Sequence, residues 1–66
     1  MSRYHVGQEV IIKDCAYAQQ EDIVGKKAII IKDVSEINEF DYEVETEDGH
    51  EDFLHHDEIE LIEQQK

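Results

Sequence analysis

The segment FDYEVETEDG, Phe40 to Gly49, alternates apolar and acidic side chains and then meets an Asp-Gly pair. A strand sends successive side chains to opposite faces. Phe40, Tyr42 and Val44 are therefore expected on one face, and Asp41, Glu43 and Glu45 on the other. Asp48-Gly49 predicts a hairpin, because glycine reaches the positive φ that tight turns demand. HEDFLHH then returns as a strand.

The rest of the chain has the same character. In QEVIIKD, Val10 and Ile12 share one face while Glu9, Ile11 and Lys13 share the other. KKAIIIKDV is the strongest strand, since consecutive isoleucines favour the pleated backbone. In DEIELIE, Ile59 and Leu61 recur at period two as a short last strand, and QQK reads as a frayed tail. Between Cys15 and Gly25, CAYAQQEDIVG has no sustained helical stripe and is expected as a long loop, whose alanines and glutamines can form one helical turn. Phe53, Ile59 and Leu61 are the expected core of the last two strands, with Leu54 at the rim. The chain is all-β, five short strands with a long first loop. Closing such strands into a partly open barrel removes exposed edges. With 66 residues there is room for one domain, 1–66, whose folded core runs from about 6 to 62.

VGQEVII (Val6 to Ile12), VGKKAIII (Val24 to Ile31), YEVETEDG (Tyr42 to Gly49) and FLHHDEIELI (Phe53 to Ile62) together resemble the SH3-like small barrel. The form is that of short bacterial and phage proteins and of KOW-type modules. The resemblance implies a short 3₁₀ turn before the last strand. It also implies a habit of binding macromolecules without catalysis, so the chain is not expected to be an enzyme. The ligand surfaces it implies are Tyr17 to Asp22 and Glu47 to Asp52. Versions that bind proline-rich peptides carry a tryptophan and clustered tyrosines. This chain has no Trp and scatters Tyr4, Tyr17 and Tyr42.

Charge narrows the partner. Met1 to Asp33 holds five bases and five acids, whereas Val34 to Lys66 holds thirteen acids and one base, so the second half carries the whole net charge of −12. That field repels phosphate backbones and disfavours direct nucleic-acid binding. It attracts basic protein surfaces; solubility alone is the plain alternative. Asp41, Glu43, Glu45, Glu47, Asp48, Glu51 and Asp52, with Tyr17, are the candidate protein-binding residues. The expected function is a protein-binding module of the phage or prophage accessory kind, docking this face on a basic host protein. A second candidate surface, for a homodimer, is Ile11, Ile29 and Ile31, provided Ala28 and Ile30 face the core.

His50, His55 and His56 raise a metal-binding or metal-sensing alternative. Four residues separate His50 from His55, half of a finger-type spacing, but the other half needs two cysteines and the chain has only Cys15. Asp52 and Asp57 offer oxygen ligands without the spacing of a calcium loop. No metal or other cofactor is expected. The histidines beside the acids would make docking pH-sensitive. There is no nucleophile motif, and Gly7, Gly25 and Gly49 lie too far apart for a phosphate loop. The lone Cys15 suits a reducing compartment and is expected at a loop or rim. With no membrane-length apolar run and no signal-like N-terminus, the expected location is cytoplasmic.

Overall fold

The computed structural model describes residues 3–62; the QQK tail lies outside them. Five strands form one antiparallel sheet: β1 (Glu9–Ile12), β2 (Lys27–Asp33), β3 (Tyr42–Thr46), β4 (Glu51–Leu54) and β5 (Ile59–Leu61). Their spatial order is β4-β3-β2-β1-β5. The chain meanders from β1 to β4, then crosses a 3₁₀ turn at His56–Glu58 to lay β5 against the free side of β1. The all-β class and the 3₁₀ turn before the last strand are as expected from the sequence.

The strands bury one face. Val10, Ile12, Ala28, Ile30, Tyr42, Val44, Leu54 and Ile59 form a single cluster with Ala18 and Ile23 of the first connection. Leu54 on one edge strand and Ile59 on the other share this cluster, so the sheet curls over its core although β4 and β5 do not pair. A bulge between Ile30 and Lys32 sharpens the bend by leaving Ile31 outside the β2–β3 register.

The first connection is more ordered than its sequence predicts. Ala16–Glu21 forms a short helix, α1, which buries Ala18. Asp22 ends it in the left-handed conformation, φ 60°, where Ile23 turns back into the core. So short a helix is held by tertiary packing more than by propensity. Cys15, half-buried and reduced, precedes it and packs against the core.

Two expected phases are corrected. The sequence pattern puts Phe53 inside and Leu54 at the rim; instead Leu54 is fully buried and Phe53 is 39% exposed. The register Tyr42↔Leu54 and Glu43↔Phe53 sets this, because cross-strand partners share a face. Phe40 was expected beside Tyr42 and Val44. It precedes β3, lies outside the buried cluster and stacks on Phe53 at 5.8 Å. Leu61 is half-buried and packs at the margin of the core. No helix is long and apolar enough to cross a membrane among the described residues.

Candidate functional site

The β3–β4 hairpin carries most of the candidate residues, and its turn explains their arrangement. The Thr46 N–H donates to the His50 carbonyl at 2.7 Å, and the Gly49 N–H donates to the Thr46 carbonyl at 2.9 Å. Gly49 has φ +92°, the left-handed position of a three-residue hairpin loop. Thr46 is buried, and its hydroxyl donates to Asp48, drawing that carboxyl below its usual range with Lys26 3.5 Å away.

On the outer face of the sheet, Glu45 stands directly opposite Glu51 and Glu43 opposite Phe53. Ile29 is the β2 neighbour of Glu45 and, at 44% exposure, lies open between Glu45 and Glu9. Among the described residues, Glu43, Glu45, Glu47 and Glu51 have no ion pair. A shallow depression of about 380 Å³ lies beside them, lined by Glu9, Lys27, Ala28, Ile29, Glu45 and Glu47. Ala28 and Ile30 do face the core, which places Ile29 and Ile11 outside as expected; Ile11 and Ile31 are only half exposed.

The other candidate acids are elsewhere. Asp52 opposes buried Val44 and accepts the Tyr17 hydroxyl at 2.8 Å. Burial first, then this carboxylate, pushes the Tyr17 hydroxyl up to about 12. Asp48 and Asp52 line a second depression, about 220 Å³, with Glu21, Asp22, Lys26 and His50. The two segments implicated by the SH3-like resemblance, Tyr17 to Asp22 and Glu47 to Asp52, therefore meet there.

Asp41 is not part of either surface. Its Oδ2 accepts the His56 N–H at 2.7 Å, and Arg3 reaches its Oδ1 at 3.3 Å. The amide, then Arg3, lowers its pKa. Arg3 also holds Asp33 at 3.1 Å and lies 4.7 Å from the Tyr42 ring centroid. Asp41 thus fastens the start of the chain rather than presenting charge.

The three histidines are divided. His50 sits beside the hairpin turn, while His55 and His56 line another depression with Asp41, Asp57 and Glu58. His56 stacks on Tyr4 at 4.6 Å, and His55 meets the Phe40 ring tilted at 4.9 Å. Among the described residues no three His, Cys, Asp or Glu side chains are grouped to hold a metal ion.

Sequence reasoning missed Phe53 as an exposed residue of the acidic face, and Phe40 as its stacking partner. Comparison with family models, curated proteins and solved structures found no match to the chain.

Proposed function

We propose that the chain is a non-enzymatic, SH3-like protein-binding module, of the phage or prophage accessory kind, whose β3–β4 hairpin docks on a basic protein surface. The observation that supports this most is the directly opposed Glu45–Glu51 pair, with no ion-pair partner among the described residues, between exposed Ile29 and Phe53. Opposed like charges destabilise a sheet, and a domain this small has little stability to spare. A basic partner removes that repulsion. Exposed apolar side chains ringed by charge have the anatomy of a docking patch, with anchors inside and a polar rim around them.

Asp48 and Asp52, on the far side of the same hairpin, extend the negative field without sharing its face. The test is capture of host proteins by the tagged chain at low and high salt, repeated with Glu45→Gln/Glu51→Gln. The expected result is one dominant basic partner, released by salt and weakened by the double substitution. A partner indifferent to both salt and substitution would overturn the reading.

A further inference from the structure

The hairpin has a second property that its charge does not reveal. Among the described residues β4 ends the sheet, with no strand on its outer side. The Thr46–His50 backbone bond fixes the phase of the β3–β4 ladder, since bonded and non-bonded pairs alternate. Val44–Asp52 and Tyr42–Leu54 are then the pairs that exchange backbone bonds, and Glu45–Glu51 and Glu43–Phe53 are those that do not. Glu51 and Phe53 therefore aim their N–H and C=O groups outward, away from β3. An open edge of this kind is a template for an added strand.

We infer that the partner is held by strand addition: an extended basic segment pairs with β4 through the outward backbone groups of Glu51 and Phe53. This rests on the binding-module reading and specifies the chemistry of the partner. Charge complementarity selects the occupant. A second copy of the chain would bring its own Glu51 row against this one, in a protein of net charge −12, so self-pairing is opposed. A lysine or arginine beside Glu51 faces that carboxylate directly, and Glu45 adds its field from the next strand. The residue two positions along the added strand falls beside Phe53, because side chains on one face recur every second residue. The segment recognised thus carries a basic and an apolar residue two positions apart, in extended form, read by Glu51 and the Phe53 ring.

The probe is a synthetic peptide of about ten residues built on the repeat Lys-Thr-Val-Thr, which in a strand puts lysine and valine on the same face. Its binding is followed by amide NMR and hydrogen exchange on the intact chain and on two variants. Phe53→Ala removes the ring and keeps the N–H; Phe53→Pro removes the outward N–H as well, a change that edge strands tolerate. The expected outcome is new exchange protection at the Glu51 and Phe53 amides. Binding to Phe53→Pro should be roughly tenfold weaker than to Phe53→Ala, the scale of one or two net hydrogen bonds.

Equal binding by the two variants, without protection along β4, overturns strand addition and leaves a module that docks by its side chains. No binding of the peptide by the unsubstituted chain at low salt overturns strand addition as well, while capture of a salt-sensitive partner would still uphold the module. If Phe53→Pro does not fold, Glu51→Pro against Glu51→Gln makes the same comparison.

Discussion

Tyr42 concentrates the chemistry of one end of the molecule in a single side chain. It is fully buried, yet its hydroxyl accepts the Tyr4 N–H at 3.0 Å and lies 2.9 Å from Nδ1 of His56. The hydroxyl thus bridges the Tyr4 amide and the His56 ring, joining the segment before β1 to the 3₁₀ turn. Tyr42→Phe leaves the ring in place and strands the Tyr4 amide and His56 Nδ1. The expected cost is about 1–3 kcal/mol, measured as a lower urea midpoint at unchanged slope. An unchanged midpoint would show that water replaces the hydroxyl without loss. Next to it, Asp33 is held at about 2 by the Ser35 N–H and hydroxyl and then by Arg3, and Asp41 is lowered by the His56 N–H. Both carboxyls bind protons less readily folded than unfolded. Their contribution to stability is therefore complete above the ordinary carboxylate range and is lost as pH falls toward about 2. Asp33→Asn is expected to flatten that acid limb in urea melts taken at successive pH values; an unchanged limb would refute the assignment.

The elements differ in how openly the sequence declares them. In β3, Tyr42, Val44 and Thr46 alternate with Glu43 and Glu45, and the buried face is the one that the alternation marks. β2 is equally plain, except that nothing in three consecutive isoleucines marks Ile31 as the residue skipped by the bulge. β4 hides its phase, because Glu51, Asp52, Phe53 and Leu54 place an acid and an apolar residue on each face. Only the length of the hairpin loop, closed by the Thr46–His50 bond, decides that Leu54 goes inward. α1 is only partly legible: its alanines and glutamines allow a helical turn, but Ala18 is drawn into the core by residues distant in sequence. Paired substitutions check the phase. Leu54→Ala is expected to cost about 2–5 kcal/mol, as for other fully buried leucines, whereas Phe53→Ala should stay within about 1 kcal/mol. The reverse ranking would invert the register.

Over the whole molecule, charge and fold pull in different directions. A net charge of −12 on 66 residues opposes compaction, and the ion pairs among the described residues are few and reached by solvent. Raising NaCl from about 10 mM to about 0.5 M should screen the repulsion and increase Tm, read by thermal circular dichroism. A fall in Tm would mean that Arg3 and Lys26 pairs outweigh the glutamate repulsion. The charged face could be named from composition, and Glu43, Glu45 and Glu51 do share it; Asp41 and Asp52 do not, because hydrogen bonds to His56 and Tyr17 enlist them elsewhere.

The placement of β5 against β1 also sets the order in which the protein can be finished. Val10 pairs with Ala28 on one side and with Leu61 on the other. As the chain is made, β1 to β4 can meander together, but the second side of β1 has no neighbour until the last strand emerges. Ile59, which completes the core, arrives at the same moment. The closing contacts span almost the whole chain, the arrangement that slows folding because a large loop must close before those contacts form. Docking of β5 on β1 is therefore the step that completes the core.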